Sequence, residues 1–272
     1  MPNSYAAMLS KVREHKPLVH HITNYVTVND CANVTLGIGA SPVMADDIYE
    51  AADIAAISGS VVLNMGTLNE RTIPSMIDAG KAANAKGIPV VFDPVGAGAS
   101  KLRNETAAQV IAKVKLSVIR GNISEIKFVA GLQSETKGVD ASQSDMADTS
   151  GAGKLARELS KKLGCIVVIS GAVDTVSDGN KTMFIENGHP MLGGLTGTGC
   201  MCSSLIGAFC GAMPNEPFEA AVAAMLCMGI AGELAYDRAG QLGNGSFHVA
   251  LHDMISTIDE SAMKRLARIR EA

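Results

Sequence analysis

Tryptophan is absent, and phenylalanine and tyrosine together reach only 4% of the 272 residues. Hydrophobic content is nonetheless 47%, so the core is filled by Ala, Val, Ile, Leu and Met. No basic block or aromatic–basic patch interrupts a mixed charge pattern of net −4. That excludes the electrostatic footprint of a nucleic-acid binder and attraction to an acidic membrane surface. The six cysteines (Cys31, Cys165, Cys200, Cys202, Cys210 and Cys227) contain no C-x-x-C and no Cys/His cluster at zinc spacing. Reduced thiols in a cytoplasm are expected instead. Met1-Pro2-Asn3-Ser4-Tyr5 lacks the basic-then-apolar layout of a signal peptide. The nearest approach to a membrane span, the Ala/Met-rich run 220–231, is too short to cross one. No internal repeat is present.

What is there is an alternation of strands and helices. Residues 4–15 have helical spacing, with Tyr5, Met8, Leu9 and Val12 on one face and Pro17 as the stop. A strand over 18–23, a helix over 24–39, an extended segment over 40–44 and a helix over 46–58 follow. The strands 61–65, 90–93, 116–120 and 165–170 are apolar without alternation, as strands covered on both faces are. Helices are predicted from 69 to 86, over 104–113, after the turn 121–125, and up to Leu163. The polar stretch 133–150 reads as a mobile loop inside one domain, not as a boundary. Asp178-Gly179-Asn180 between the runs 173–177 and 182–186 signals a hairpin. Helices at 200–213, 216–238, 246–259 and 262–269 complete the chain. The expectation is an α/β protein: a three-layer sandwich with a mostly parallel central sheet and helices on both faces, in one domain over 1–272.

The stretch with the strongest chemical content is Gly193-Gly194-Leu195-Thr196-Gly197-Thr198-Gly199-Cys200, feeding an apolar run with no charge before Glu216. The first amides of a helix lack internal partners and sit at the positive end of its dipole, so such a turn is either an anion site or a tight strand-to-helix turn. In sheets of this kind ligands bind beyond the carboxyl ends of the strands. Asn64, Asp93, Arg120 and Ser170 stand at those ends and are expected to converge with the turn on one cleft.

Asp93, followed by Pro94 and a Gly-Ala-Gly loop, reads as a Mg²⁺ carboxylate or as a turn aspartate. Glu125, three residues after Asn122, reads as a second metal carboxylate or as the partner in a capping box. Cys200 lies in the first turn of the helix, where a thiol pKa is lowered. It reads as nucleophile, proton acceptor, substrate contact or small buried residue, the last being expected of Cys202 and Cys210. His20 and His21 are adjacent on a strand and point to opposite faces, so they form no joint metal site and take structural roles.

Five motifs together resemble the hydroxyethylthiazole kinase family. They are Gly-Ala-Ser-Pro-Val-Met (39–44), Leu-Asn-Met-Gly-Thr-Leu (63–68), Phe-Asp-Pro-Val-Gly-Ala-Gly-Ala (92–99), Ile-Arg-Gly-Asn-Ile-Ser-Glu (119–125) and Leu-Thr-Gly-Thr-Gly-Cys (195–200). The resemblance spans nearly the whole chain in order. It implies a ribokinase-like fold, ATP as co-substrate with Mg²⁺, and phosphorylation of a thiazole alcohol in thiamine biosynthesis or salvage. It also implies a homotrimer with active sites at subunit interfaces. By position it implies Met44, Gly197, Asn24, Pro42 and Val43 as substrate-binding residues. Arg120, Ser170 and Asn122 match nucleotide and phosphate contacts, and Asp93 and Glu125 the metal carboxylates. The amides of Gly197, Thr198, Gly199 and Cys200 would stabilise the transferring phosphoryl group, with Cys200 where related kinases carry an Asp base. Ser170 stands where Thr is common and keeps the hydroxyl. Other ribokinase-like kinases, an ATP-dependent hydrate-repair enzyme and a non-catalytic thiazole-binding protein are the competing readings. A dinucleotide-binding oxidoreductase is disfavoured, because Asn24-Tyr25-Val26 follows the first strand in place of Gly-x-Gly-x-x-Gly.

Overall fold

The computed structural model describes residues 2–131, 136–137, 140–141 and 149–272. The first elements are α1 (Pro2–His15), β1 (Leu18–Ile22), α2 (Val28–Ile38), β2 (Ser41–Met44), α3 (Ala51–Ile57), β3 (Ser60–Asn64) and α4 (Thr72–Ala85). Next come β4 (Val90–Asp93), α5 (Lys101–Lys113), β5 (Val118–Asn122), α6 (Ile123–Val129), β6 (Thr136–Lys137), β7 (Asp140–Ala141), α7 (Thr149–Leu163) and β8 (Ile166–Ser170). The hairpin strands β9 (Asp174–Ser177) and β10 (Thr182–Ile185) lead through a 3₁₀ turn (Pro190–Gly194) to α8 (Thr198–Ala212). The chain ends with α9 (Pro217–Ala239), a second 3₁₀ turn (Gly240–Leu242), α10 (Asn244–Thr257), α11 (Glu260–Leu266) and β11 (Ile269–Glu271). The stretch 133–150, expected as a mobile loop, lies outside the described residues apart from β6, β7 and the first residues of α7.

Nine of the described strands form one sheet in the order β11-β10-β9-β8-β5-β4-β3-β1-β2. Neighbours from β2 to β8 pair in parallel, and β9, β10 and β11 add antiparallel at the far edge. The parallel strands are apolar on both faces because both faces are covered. On β3, Val62 joins the core under α1, α2, α8, α9 and α10, while Val61 and Leu63 join the core under α3, α4, α5 and α7. Period-two alternation of side chains thus divides one apolar run between two cores. Helix α9 is buried almost all round, as an evenly apolar helix in a core is. The span Pro217–Leu242 has the length and composition to cross a membrane, but it is packed inside the protein.

Element boundaries depart from the expected ones where a side chain competes for the backbone. The helix expected from residue 24 starts at Val28, because Asn24 Oδ1 accepts from the Thr27 amide at 3.1 Å and from Thr27 Oγ1 at 3.1 Å. Helix α3 starts at Ala51, not near 46, after Asp47 Oδ1 accepts the Tyr49 amide at 3.0 Å. Helix α5 starts earlier than expected, since the Ser100 hydroxyl caps it through the Arg103 amide. The helix expected to reach residue 269 stops at Leu266, and β11 then pairs with β10. There Arg270 lies 4.3 Å over the Phe184 ring and 3.0 Å from Glu186. A three-residue edge strand carries too short a pattern to show in sequence.

Helix α8 rides directly on the sheet, because it presents glycine where it crosses β1 and β3. A Cβ on Gly207 would come 2.5 Å from Val62 Cγ2 and 3.1 Å from Val19 Cγ1, and Ser60 Oγ donates to the Gly207 carbonyl at 2.7 Å. Alanine is favoured over glycine in a helix by about 1 kcal/mol, whereas overpacking costs about 1–3 kcal/mol. Gly207→Ala is therefore expected to destabilise the protein by up to about 2 kcal/mol, seen as a lower urea midpoint at unchanged m. An unchanged or raised midpoint would mean that α8 is free to ride away from the sheet.

Candidate active site

Strand β1 lies between β2 and β3, and the chain leaves it first toward β2 before returning to β3. Helix α2 packs on one face and α3 on the other. A crevice forms beyond the strand ends where the order reverses in this way. Asn24 stands just past β1 and Asn64 ends β3. The Asn24 amide Nδ2 donates to Asn64 Oδ1 at 2.9 Å, and Asn64 Nδ2 donates to Asp93 Oδ2 at 2.9 Å. Three strand ends are thereby joined side by side.

The amino end of α8 comes down on this row. Gly197 caps the helix with φ 90°, and a Cβ there would lie 2.5 Å from Thr27 Cγ2, so only glycine meets both demands. No described side chain caps the helix, which leaves its first amides for an anion. Thr198 Oγ1 donates to the Leu192 carbonyl at 3.1 Å, tying the turn to the 3₁₀ segment before it. Gly199 sits against Arg120, whose Nη1 would be 2.5 Å from a Cβ at that position. Cys200 Sγ accepts from Asn24 Nδ2 at 3.3 Å and Asn64 Nδ2 at 3.2 Å. Less than one turn on, Ser203 Oγ donates to Asp93 Oδ2 at 2.7 Å.

Asp93 is fully buried, and Arg120 Nη1 lies 3.6 Å from its Oδ2. Burial pushes its pKa up, against the pull of Arg120, Ser203 and Asn64. Its other oxygen, Oδ1, meets no hydrogen-bond partner among the described residues, and neither does Arg120 Nε. Arg120 Nη2 donates to Ser170 Oγ at 2.6 Å. Burial opposes the Arg120 charge, yet the acidic groups around it, Asp93 first, hold its pKa above the ordinary value. Glu125 is 3% exposed. Its Oε2 accepts the Asn122 amide at 2.8 Å while Asn122 Oδ1 accepts the Glu125 amide at 2.9 Å, so the capping box is formed. Its Oε1 accepts the Gly96 amide at 2.8 Å, tying α6 to the loop after β4. Burial first, and then Asp93, push the Glu125 carboxyl up to about 7. One side chain thus caps α6 and places a second acid beside Asp93.

The Cys200 expectation needs correcting. A helix amino end lowers a thiol pKa, but here burial and the nearby Asp93 outweigh Thr27, Arg120 and Asn24, and the pKa is raised. The thiol is therefore neutral at pH 7. Cys202 and Cys210 are pushed up to about 12 by burial, as core residues are. His20 and His21 are both buried, with His20 Nε2 2.7 Å from the Ala45 carbonyl and His21 Nδ1 3.0 Å from that of Val19. Burial lowers both pKa values, that of His21 to about 4, in keeping with structural roles. Pro42, Val43 and Met44 lie half-buried on β2, whose carboxyl end opens on the same edge of the sheet.

Sequence patterns did not single out four groups that build the site. Thr27 and Ser203 hold Asn24 and Asp93. Asp174 opens β9 beside the end of β8, accepts the Gly171 amide at 2.9 Å, and is pushed by burial up to about 7. Arg103 donates to the carbonyls of Met65 (2.7 Å), Gly66 (2.7 Å) and Val95 (2.5 Å), stapling the loops after β3 and β4. On sequence alone it is one more charged residue on a polar helix. A groove lined by Lys154, Arg157, Lys161, Phe184 and Arg270 shares no residue with the site.

The sequence profile of the Hydroxyethylthiazole kinase family matches residues 9–261. The chain is 58% identical over 264 residues to the hydroxyethylthiazole kinase of Ruminiclostridium cellulolyticum, covering 97% of this chain and 96% of that one. It is similar to the solved structure of the hydroxyethylthiazole kinase protein from Pyrococcus horikoshii OT3, with a TM-score of 0.90, 39% identity and 99% of each chain covered. A ribokinase-like superfamily protein from Enterococcus faecalis V583 shares the fold at TM-score 0.61 and 11% identity, over 93% of this chain and 89% of that one. The three-layer α/β sandwich is the ribokinase-like fold.

The raised Glu125 pKa has a definite consequence for stability. Between its ordinary 4.5 and about 7 the folded state holds the proton more tightly than the unfolded chain does. Its contribution is therefore complete below the lower value and is lost as pH rises through the higher one, by about 3 kcal/mol in all. In urea unfolding without divalent cations, Glu125→Gln is expected to remove most of that decline. Equal declines in both proteins would mean that another group titrates.

Proposed function

The chain belongs to the hydroxyethylthiazole kinase family, and on that premise we propose how its strand-end residues carry the reaction. The protein phosphorylates the primary alcohol of 5-(2-hydroxyethyl)-4-methylthiazole, a step of thiamine biosynthesis or salvage, with ATP as the co-substrate of the kinase family. The observation that carries the site assignment is the convergence of the uncapped α8 amides, Cys200, Asp93 and Arg120 in one crevice.

Met44, Pro42 and Val43 offer an apolar wall to the heterocycle, and Asn24 offers the polar end of the pocket beside Cys200. Arg120, braced by Ser170, supplies a permanent positive charge to the nucleotide phosphates, with Asn122 at the neighbouring helix end. The amides of Gly197, Thr198, Gly199 and Cys200 stabilise the phosphoryl group in flight, where charge spreads over its oxygens. Mg²⁺ fits the acidic pair. Asp93 Oδ1 is buried without a hydrogen-bond partner among the described residues, and Glu125 titrates near neutrality beside it. Asp93 and Glu125 would hold the ion directly or through water, and when bound it neutralises phosphate charge as a Lewis acid. Cys200, a neutral thiol held by two Asn side chains, orients the attacking hydroxyl and takes no proton in the ground state. A loose transition state asks little of a base, so positioning and charge stabilisation dominate.

Subunit contacts are proposed at the β2 edge. Tyr25 follows β1, Leu36 lies on α2, and Tyr49 and Ile57 precede and end α3; they are 78%, 57%, 92% and 71% exposed, and apolar side chains of this size suit a subunit contact. A homotrimer that covers them would bring its active sites to the interfaces. The reading also places the enzyme in the cytoplasm, where its six unpaired thiols stay reduced.

ADP release from ATP and Mg²⁺ is expected only when the thiazole alcohol is added, with the phosphorylated alcohol as product. A general base supplies about 10²–10⁴ in rate, so Cys200→Ala is expected to cost less than about 100-fold in kcat. Cys200→Asp, which places an ionisable acceptor there, is expected to preserve or raise it. Abolished turnover in both variants, with fold and ATP binding intact, would make the thiol a covalent participant. For the trimer, light scattering is expected to give three times the chain mass, falling to one chain in the double variant Leu36→Glu, Ile57→Glu. A single-chain mass before substitution would overturn the proposed contact.

A further inference from the structure

A second cluster of chemistry-bearing side chains lies outside the machinery described above. His248 and His252 stand one turn apart on α10, and Asp30 faces them from the first turn of α2. Among the described residues they are the one set of three metal-ligand side chains whose ligand atoms all lie within 4.8 Å of one another. His248 Nε2 is 3.0 Å and His252 Nε2 3.2 Å from the same atom, Asp30 Oδ1. The two Nε2 atoms are 3.3 Å apart.

Hydrogen bonds satisfy the set when both Nε2 atoms carry hydrogen, since one carboxylate oxygen accepts two donors. When either Nε2 is bare, its lone-pair nitrogen stands 3.0 or 3.2 Å from that oxygen and 3.3 Å from the other ring nitrogen, and a cation among the three makes that state favourable. Metal–ligand bonds of about 2.0–2.1 Å in tetrahedral geometry set neighbouring ligand atoms about 3.3–3.4 Å apart. The three separations fall within a few tenths of an ångström of that figure. The side chains are 18% exposed for Asp30, 35% for His248 and 23% for His252, so an ion has access from solvent.

We propose that Asp30, His248 and His252 form a binding site for a divalent transition metal of the Zn²⁺ class, with its remaining coordination open to water or a ligand. Two imidazoles and one carboxylate favour Zn²⁺, Co²⁺ or Ni²⁺ over Mg²⁺, which takes oxygen ligands. The site is therefore distinct in chemistry from the Asp93–Glu125 pair. It is close to the phosphoryl-binding turn all the same, because Asp30 Oδ2 lies 3.8 Å from where a Cβ on Gly197 would stand. A bound ion would add positive charge beside that turn. His248-Val249-Ala250-Leu251-His252 carries the i, i+4 spacing in the sequence, but the carboxylate comes from a helix more than 200 residues away and only packing supplies it.

The test uses the full chain dialysed against micromolar Zn²⁺, with metal per chain measured by atomic emission. One ion per chain is expected, with affinity reduced about 10–100-fold or more in His248→Gln, His252→Gln and Asp30→Asn, and retained in Cys200→Ala. A second measurement needs no variant. The Co²⁺-loaded protein is expected to show d–d bands of a nitrogen–oxygen site without a thiolate-to-cobalt charge-transfer band. No stoichiometric uptake, uptake unaltered in both histidine variants, or a thiolate band would each overturn the proposal.

Discussion

The structure turns on one buried carboxylate. Asp93 ends a strand whose other residues are Val90, Val91 and Phe92, all buried, so the chain carries an acid into the core at the moment the strand stops. A buried charge without partners costs several kcal/mol. Everything that offsets it comes from a different element: Asn64 from β3, Arg120 from β5 and Ser203 from α8. The same partners bring the uncapped end of α8 over the strand ends. The stabilisation of one acid and the construction of the crevice are therefore the same set of contacts.

The scarcity of aromatic residues has a part in this. With a core of Ala, Val and Met, and glycine at the crossing of α8 over β1 and β3, helix and sheet approach closely. A bulkier layer would lift α8 and with it Cys200, whose thiol is within 3.3 Å of two side-chain amides on neighbouring strand ends. Close packing sets the geometry, and the polar row then fixes the register.

The crevice sets an uncharged thiol beside fixed positive potential. Burial keeps the thiol neutral, while Arg120 and the α8 amides supply positive potential that requires no titration. Burial raises the pKa of both acids, that of Glu125 to about 7, so the charge of the pair changes near neutrality while that of Arg120 does not.

Much of this was legible in the order of residues. Unbroken apolar strands gave a covered parallel sheet, because side chains at period two must find a core on each side. The strand-end residues Asn64, Asp93, Arg120 and Ser170 were marked by where apolar runs stopped, and the glycine turn by its composition. The Asn122–Glu125 cap is a local contact three residues long, readable without a fold. Folding alone decided the rest. Arg103 reaches carbonyls in two distant loops, Ser203 finds Asp93 across the sheet, and Asp30 meets two histidines of α10. The Cys200 thiol shows why. Sequence fixes its place on a helix, which argues for a low pKa, but the burial and the neighbouring acid that reverse the sign depend on atoms brought together from β1, β3, β4 and α8. Local spacing encodes local contacts, whereas desolvation and through-space charge exist only once the chain has closed around them.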